Sequence, residues 1–223
     1  MNKIFVIGDV HGCDRALDEL LDKVVPSITD TMVFLGDYID RGPASRQVVD
    51  KILALNTRLS RLITLMGNHE QMFLRYLTGQ ERDLYLEIGG LQTLESYGIE
   101  NPKDGFPQIP TTHLHFFKEL LTYWEDENYI YVHAGLQPGV HLSRQSPDWL
   151  LWARDGDNVE DNSFGKTIIY GHTVHKGPLV TPNKIGIDTG AVYGGHLTCL
   201  VLPDLKFISV RGKRFWPINF NNS

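Results

Sequence analysis

Five short segments of the sequence combine glycine with side chains that can bind metal ions or transfer protons. In chain order they are Gly8-Asp9-Val10-His11-Gly12, Gly36-Asp37-Tyr38-Ile39-Asp40-Arg41-Gly42, Gly67-Asn68-His69-Glu70, His133-Ala134-Gly135 and Gly171-His172-Thr173. Each segment follows a short apolar run. Glycine permits the sharp turn and the close backbone approach that a binding site at such a position needs.

These segments contain a set of candidate metal ligands: Asp9, His11, Asp37, Asn68, His133 and His172. Oxygen and nitrogen donors without a thiolate suit manganese, iron or zinc, whereas calcium prefers oxygen throughout. The set is large enough for a pair of ions, and two ions about 3.5–4 Å apart can clamp phosphorus for in-line displacement. It therefore predicts a two-metal phosphoester hydrolase in which Asp37, the central carboxylate, bridges the ions.

Taken singly, none of the segments is specific. A Gly-Asp pair after a strand is usually only a turn, and a lone histidine at a strand end is more often hydrogen-bonded or exposed than a ligand. Asn68 could simply cap a helix. The metal site is favoured because all five segments occur together, each at the end of an apolar run.

The elements that must position these segments alternate in the first half of the chain. Residues 3–7, 32–35 and 62–66 are predicted strands, rich in β-branched and aromatic residues. Apolar residues at helical spacing predict helices between them, the first capped by Asp14, the second over 45–55 and the third from about Glu70 to Gly79. Such alternation gives a mainly parallel sheet, which binds ligands at the carboxyl ends of its strands.

The second half has a different pattern. Strands are predicted at residues 129–132, 167–170, 184–188, 196–202 and 206–210. No long helix separates the last three, so we expect antiparallel pairing there. Between the halves, we predict partial helix over 81–98, a loop over 100–112 and a short helix over 113–123. The change in pattern indicates two sheets within a single domain that spans residues 1–223.

Composition limits the class of partner and the compartment. The net charge of −6, without a run of lysine and arginine, argues against a duplex nucleic-acid binder, which needs a basic face. Cys13 and Cys199 cannot form a disulfide framework, which favours a reducing, cytoplasmic compartment. The first apolar run, Ile4 to Ile7, is too short for a signal peptide or a membrane span, so we expect no membrane partner.

The ordered set of segments resembles the phosphoprotein phosphatase branch of the calcineurin-like metallophosphoesterases, and small bacterial and phage members most of all. The pattern of that branch is GDxHG, GDxxDRG and GNHE, followed by histidines in HAG and GH, and every part of it is present here in order. The resemblance implies an α/β fold of four layers (αββα), in which two mixed β-sheets pack face to face and helices flank them. It also implies two divalent metal ions, with Mn²⁺ favoured and Fe or Zn as alternatives.

The resemblance further implies a role for each residue of the pattern. Asp9 and His11 would bind the first ion, and Asp37 would bridge both ions. Asn68, His133 and His172 would bind the second ion. His69 would be the general acid that protonates the leaving oxygen, and Asp40 would orient it. Arg41 would hold the phosphate, together with Arg154 and Asn68.

Some residues near the pattern have competing interpretations. Arg154 could instead form a surface salt bridge with Asp155 or Asp157. Asp188 could be a hydrogen-bonding partner of a ligand histidine or a turn residue. Tyr193 could lie near the substrate or pack internally.

The other reactive or aromatic side chains are given structural roles. Cys13 is expected at a helix start close to the metals, and Cys199 in the core. Five histidines are expected to be structural or exposed, and three tryptophans are expected to pack in the core or at a rim rather than stack on a base. These residues are His113, His115, His141, His175, His196, Trp149, Trp152 and Trp216.

The resemblance implies a serine/threonine protein phosphatase whose activity could extend to phosphotyrosine, with a phosphoprotein or a small phosphoester as substrate. A hydroxide held between the metals would attack phosphorus directly, without a covalent phosphoenzyme. The alternative is a symmetrical diadenosine tetraphosphate hydrolase; such enzymes are usually longer and have a middle segment that is not evident here. A non-catalytic metal-binding scaffold is disfavoured because His69, Asp40 and Arg41 are all present. The acidic balance and the Asp40-Arg41 pair disfavour a nuclease.

Overall fold

The computed structural model describes residues 2–99, 108–154 and 164–217. The elements in the first part of the chain are β1 (Ile4–Ile7), α1 (Asp14–Val24), β2 (Thr31–Phe34), α2 (Ser45–Leu55), β3 (Arg61–Thr64), α3 (Asn68–Leu77), α4 (Arg82–Tyr85), a π-turn (Leu86–Gly90), α5 (Leu91–Ser96) and α6 (Thr111–Lys118). The later elements are β4 (Tyr123–Glu125), β5 (Tyr129–Val132), a 3₁₀ turn (Leu142–Arg144), α7 (Pro147–Trp152), β6 (Thr167–Tyr170), β7 (Leu179–Val180), β8 (Lys184–Gly186), β9 (His196–Leu202) and β10 (Lys206–Arg211).

The described strands form two mixed sheets of five strands each. In the first sheet the order is β10-β9-β1-β2-β3, with β1, β2 and β3 parallel and with β9 antiparallel to β1 and β10. In the second sheet the order is β4-β5-β6-β8-β7, with β5, β6 and β8 parallel and an antiparallel strand at each edge. The parallel first half predicted from the alternation is confirmed.

The two sheets pack face to face. Because successive strand residues point to opposite faces, Val6 of β1 packs between the sheets while its neighbours Phe5 and Ile7 pack beneath the helices. The layer between the sheets contains buried side chains from both: Val6, Val33, Leu200 and Leu202 from one, and Tyr131, Ile169 and Ile185 from the other. Helix α7 covers the outer face of the second sheet through Leu150 and Leu151. The four-layer fold class is therefore confirmed.

Two details of the predicted strands and helices were wrong. Strand β8 does not pair with β9, because the chain after Gly186 crosses from the second sheet to the first; only β9 and β10 form the expected antiparallel pair. The helix predicted over 113–123 begins at Thr111 and ends at Lys118. The chain beyond it joins β3, since the Leu121 N–H donates to the Thr64 carbonyl at 3.0 Å, and residues 123–125 then form an edge strand.

Smaller differences lie in the helix termini and the connections. Asp14 is the first helical residue rather than the cap, and Cys13 takes the cap position without a side-chain hydrogen bond. The predicted helical stretch over 81–98 is broken where expected, at Gly89, whose φ is 114°. Helix α7 and strand β7 were not predicted. Of the predicted loop over 100–112, residues 100–107 lie outside the described residues, as do Asp155 and Asp157.

Both cysteines lie where they were expected. Cys13 is buried at the start of α1, and Cys199 is buried in β9. In the described ranges, no helix is both long and apolar enough to cross a membrane.

Candidate metal centre

The five glycine-containing segments meet at one end of the two sheets. The N–H groups of Val10 and His11 both donate to the Asp37 carbonyl, at 3.0 and 2.9 Å, which joins the loops after β1 and β2. The Gly171 N–H donates to the His133 carbonyl at 2.8 Å, which joins the loops after β5 and β6. The Nδ1 atom of His133 lies 2.8 Å from the Leu35 carbonyl, so the loops of the two sheets also meet.

Five side chains at this junction are carried on backbone with positive φ, a region that L-residues rarely adopt. The residues and angles are His11 (46°), Asp37 (51°), Asp40 (71°), Arg41 (67°) and His172 (62°). Each such conformation costs about 1–3 kcal/mol and persists only where the surrounding structure holds it. Their concentration at one place points to a functional site.

Two of the glycines are required because the loops approach closely. A Cβ atom at Gly67 would overlap the Asp37 carboxylate, and one at Gly171 would overlap the Asp9 carboxylate. The sequence therefore places glycine directly beneath two of the candidate ligands.

One cluster of donor atoms lies around Asp37, His133 and His172. One ligand atom of each lies within 4.8 Å of the others. The Asn68 side-chain oxygen belongs to the same place, at 3.0 Å from His133 Nε2 and 3.1 Å from His172 Nδ1. Burial lowers the pKa of His133 to about 4 and that of His172 to about 3, so both rings are neutral near pH 7.

A second cluster contains Asp37 again, with His11 and His69, under the same 4.8 Å limit. The His11 Nδ1–H donates to the Ile39 carbonyl at 2.8 Å, and His11 Nε2 lies 3.4 Å from Asp37 Oδ2. Burial is the main reason that the pKa of His11 lies well below its ordinary value, and the charge of Arg41 lowers it further. This ring is therefore neutral, and its Nε2 atom is an acceptor.

The donor set fits a pair of cations. In His11 and His133, Nδ1–H is used by a backbone carbonyl, which leaves Nε2 as an acceptor, the arrangement typical of metal-binding histidine. For His133 that bare nitrogen faces the Asn68 oxygen at 3.0 Å and Asp37 Oδ1 at 3.4 Å. Acceptors that face one another repel unless a proton or cation lies between them. Burial also raises the pKa of Asp37 to about 6, an effect that the charges of His172 and Arg41 offset only in part.

Asp9 lies at the edge of this arrangement. Both of its carboxylate oxygens accept the His172 N–H, at 3.3 and 3.1 Å. Burial is the main reason that its pKa is well above the ordinary value, and the charges of Asp188 and Asp37 raise it further. The structure thus places Asp9 against the backbone of His172. His69, for which we predicted the role of general acid, instead has a ring nitrogen within 4.8 Å of the donor atoms of His11 and Asp37.

His69 and Asp40 form a buried pair. His69 Nδ1 lies 2.7 Å from Asp40 Oδ2, and both side chains are at most 1% exposed. The other carboxylate oxygen of Asp40 accepts the Tyr85 and Thr93 hydroxyls at 2.7 and 2.6 Å, so that carboxylate is fixed. Burial raises the pKa of Asp40 to about 7 and lowers that of His69 well below its ordinary value, and the charge of Arg41 lowers the latter further.

Arg41 points into the same space. Its Nη1 group donates to His11 Nε2 at 2.8 Å, its guanidinium carbon lies 5.7 Å from the centre of the Tyr193 ring, and its backbone N–H donates to the Gly89 carbonyl at 3.0 Å. Its buried Nε atom has no hydrogen-bond partner among the described residues. A buried guanidinium N–H without an acceptor is what an anion would satisfy.

Sequence reasoning gave no role to Glu70, which proves central to the backbone of the site. Its carboxylate is fully buried and accepts four N–H groups, from Asp37, Tyr38, Ile39 and Gly67. The only indication of this role in the sequence was its place in the third segment, next to His69. Its contacts with Asp37 and Tyr38 lie in a turn more than thirty residues earlier, so the spacing of the residues did not reveal them.

The remaining candidates divide between the site and the rest of the molecule. Arg154 is exposed, and its charge contributes to the lowered pKa of His172, so it lies near that ligand. Asp188 accepts the Gly190 N–H at 3.0 Å, which fits the turn interpretation. Trp152 lies at the rim, with its ring centre 6.3 Å from that of His172. Tyr193, packed beside Arg41, fits both of its interpretations.

The other histidines lie away from the two clusters. His113 is buried and bonded to the Tyr97 hydroxyl and the Asp50 carboxylate, at 2.8 and 3.0 Å. His115 and His141 are exposed. The His175 backbone N–H donates to the Asp188 carbonyl, and His196 stands at the start of β9.

Comparisons with known proteins establish the family. Residues 2–197 match the family described as calcineurin-like phosphoesterase. The chain is 30% identical to the asymmetrical bis(5′-nucleosyl)-tetraphosphatase PrpE of Oceanobacillus iheyensis over 239 residues, which cover 95% of this chain and 93% of that protein. It is also 30% identical to the protein of the same name from a Geobacillus species, over 93% of this chain and 94% of that one.

Two solved structures extend the comparison. A protein provisionally described as a diadenosine tetraphosphatase superimposes with a TM-score of 0.74 at 26% identity, over 95% of this chain and 94% of that one. The cold-active protein-tyrosine phosphatase of a Shewanella species superimposes with a TM-score of 0.70 at 19% identity, over 94% and 77%, and at that identity the likeness shows the fold alone. The chain belongs to the calcineurin-like phosphoesterase family.

Proposed function

We propose that this protein is a two-metal hydrolase of dinucleoside tetraphosphates. The substrate class is taken from relatives named bis(5′-nucleosyl)-tetraphosphatase, which the chain matches over at least 93% of their length. The sequence led us to prefer a protein phosphatase, with a symmetrical diadenosine tetraphosphate hydrolase as the alternative; the substrate class of that alternative is now preferred, but with asymmetrical cleavage. The relatives are named asymmetrical, so we propose unequal cleavage, into a nucleoside triphosphate and a monophosphate.

The observation that carries the chemistry is that Asp37 belongs to both clusters of donor atoms. It shares one cluster with His11 and His69 and the other with His133 and His172. A carboxylate common to two neighbouring clusters of donor atoms is suited to bridge a pair of divalent ions, with His69 of the first cluster kept for proton transfer. When bound, such ions polarise phosphoryl oxygens and lower the pKa of water, which supports hydrolysis near neutral pH.

The remaining residues of the site would act on the substrate. Arg41 would hold phosphoryl oxygens, since its unsatisfied Nε and its planar fork suit an oxyanion. Asn68 and Arg154 would contribute further polar contacts near His172. The left-handed backbone at Asp37 and Arg41 persists only where the surrounding structure holds it, so both residues are positioned before substrate arrives.

His69 would deliver a proton to the leaving oxygen. Asp40 accepts the Nδ1–H, so for this step the ring would also take up a proton from water at Nε2, which faces the space shared with His11 and Asp37, and would pass that proton to the leaving oxygen. The need for this proton depends on the substrate. A serine alkoxide is a strong base and needs protonation, whereas the nucleotide phosphate released from a phosphoanhydride is a much weaker base, with a second pKa of about 6.

The assay separates the candidate substrates directly. We expect Mn²⁺-loaded protein to convert diadenosine tetraphosphate to ATP and AMP. Chromatography of the nucleotides measures the two products. Two molecules of ADP would instead indicate symmetrical cleavage. Phosphate release from phosphopeptides without turnover of the dinucleotide would overturn the proposed substrate class, and no turnover of either would favour a non-catalytic scaffold.

A matched pair of variants tests the proposed centre. Asp37→Asn removes the carboxylate common to both clusters, so we expect loss of turnover and of metal stoichiometry. Asp204→Asn is the control, because its half-exposed carboxylate pairs with Lys3, at 2.8 Å, and belongs to neither cluster. Retained activity and metal content in Asp37→Asn would contradict the two-metal arrangement.

A further inference from the structure

Trp152 presents an exposed indole beside the metal centre. It is the last residue of α7 and is 38% exposed, whereas most large apolar side chains of the described chain are buried. A single exposed tryptophan is unremarkable by itself. Its position is informative: the ring centre lies 6.3 Å from that of His172, in an edge-to-face arrangement at 77°.

The orientation of this indole is fixed before any ligand binds. Its Nε1–H donates to the Gln71 side-chain oxygen at 3.0 Å, and Gln71 lies on α3, in the same turn as Asn68 and His69. The helix that carries Trp152 is tied to another ligand segment, because the Ala134 N–H donates to the Leu150 carbonyl at 2.9 Å. A side chain held in this way loses little conformational entropy on binding.

Charge near Trp152 matches a phosphorylated ligand. Arg154 follows two residues later in the chain, and its side chain is exposed. A flat apolar surface, a candidate metal ligand and a cation therefore occur together at one rim of the site. A nucleotide has the same sequence of groups, since its aromatic base is separated from the phosphate chain only by a ribose.

We propose that Trp152 is the stacking surface for a nucleobase of the nucleotide substrate, and that Gln71 positions it. This inference rests on the proposed function and names the contact that selects a nucleotide over other phosphoesters. Bases stack on aromatic side chains with a contribution that corresponds to roughly 5- to 150-fold in affinity per base. The platform here is open on one side and tolerates different bases, because every base has an aromatic face.

Kinetics with two substrates test the proposal. Diadenosine tetraphosphate has bases, and inorganic tripolyphosphate has the same phosphoanhydride bond without them. For Trp152→Ala we expect KM for the dinucleotide to rise at least about fivefold, with kcat within about twofold and KM for tripolyphosphate unchanged. Trp152→Phe, which keeps an aromatic face, should give a smaller rise. Equal changes for both substrates, or none, would overturn the proposal.

The chain offers a matched control and a test of the positioning residue. Trp149 lies one turn earlier on α7 and is half-buried, so Trp149→Ala changes the same residue type on the same helix and should leave the KM ratio of the two substrates unaltered. Gln71→Ala removes the hydrogen bond to the indole but keeps the indole itself, so it should raise KM for the dinucleotide by less than Trp152→Ala does. A larger effect of Trp149→Ala would show that the helix, rather than the indole face, determines binding.

Equilibrium binding separates this inference from the proposed function. ADP and pyrophosphate are titrated against the wild type and Trp152→Ala, with intrinsic fluorescence and calorimetry as readouts. We expect ADP affinity to fall at least about fivefold in the variant and pyrophosphate affinity to stay the same. If the wild type does not cleave the dinucleotide but shows this difference, the proposed function fails and the base contact stands. If the wild type cleaves the dinucleotide and ADP affinity is unchanged, the base contact fails alone.

Discussion

Replacing Glu70 with glutamine changes one carboxylate oxygen to an amide group and hardly alters the volume of the side chain. In the wild type, Oε2 accepts the N–H groups of Asp37 and Gly67, at 2.8 and 3.0 Å, and Oε1 accepts those of Tyr38 and Ile39, at 2.8 and 3.3 Å. Glutamine keeps one oxygen for one pair of donors. Its NH₂ group then faces the other pair, and two N–H groups lose their acceptor in a fully buried place.

The loss of stability follows from the two N–H groups that lose their acceptor. Each buried donor left without a partner costs about 1–3 kcal/mol, so Glu70→Gln should lower the free energy of unfolding by about 2–6 kcal/mol. The same N–H groups hold the turn that carries Asp37, whose φ of 51° is unfavourable without support. We therefore expect weaker metal binding as well, although Glu70 is not among the proposed ligands.

Urea unfolding with a chelator present measures the first effect, and calorimetric titration of Mn²⁺ into the folded variant measures the second. Glu81→Gln is the control, because Glu81 is exposed and pairs with Arg75 on the surface, at 2.9 Å. Exposed pairs contribute little. A loss of stability under about 1 kcal/mol in Glu70→Gln, with unchanged Mn²⁺ affinity, would refute the reasoning about the turn.

Three further substitutions give distinct results. His69→Asn should reduce turnover of diadenosine tetraphosphate about 10²-fold, the lower end for general acids because the leaving phosphate is a weak base, and metal analysis should still find both ions; loss of an ion would identify His69 as a ligand. Arg41→Met should tighten Mn²⁺ binding about tenfold by calorimetry, since it removes a cation that occupies His11 Nε2; unchanged affinity would contradict this. His113→Gln should cost about 1 kcal/mol at pH 7.5 through its lost bond to Asp50. Burial lowers the pKa of His113, so the stability of the wild type falls as pH drops below about 6.5. Thermal melts should therefore show that the difference in Tm between the wild type and His113→Gln becomes smaller below that pH.

The candidate ligands could be proposed from sequence because each of them is part of a local signal. Asp37 and His133 each follow a buried strand, Asp37 directly after Gly36 and His133 two residues before Gly135, so the residue and its turn are visible together. The carboxyl ends of neighbouring parallel strands lie at the same edge of a sheet. Convergence of these residues then follows from the β–α alternation, even though they are far apart in sequence.

What could not be predicted depends on contacts between distant segments. Strand β8 has the composition of any short buried strand, and nothing within it indicates whether it pairs with β6 or with β9. The end of α6 is set by the pairing of Leu121 with the end of β3, not by a stop signal in its own sequence. Glu70 likewise follows His69 as a plausible helix residue, and only the fold brings it beneath the turn that carries Asp37.

The choice of substrate was least accessible to sequence reasoning, for a physical reason. The five segments contain the groups that act on a phosphoryl centre, and those groups are the same whether the leaving oxygen belongs to serine or to a nucleotide. Selection between them must come from residues that contact the rest of the substrate, and these lie outside the segments. Trp152 has this position: α7 is anchored to the loop of His133, yet its last side chain faces outward beside His172. A surface of this kind can change in evolution without disturbing a metal ligand, which allows one centre to act on different phosphoesters.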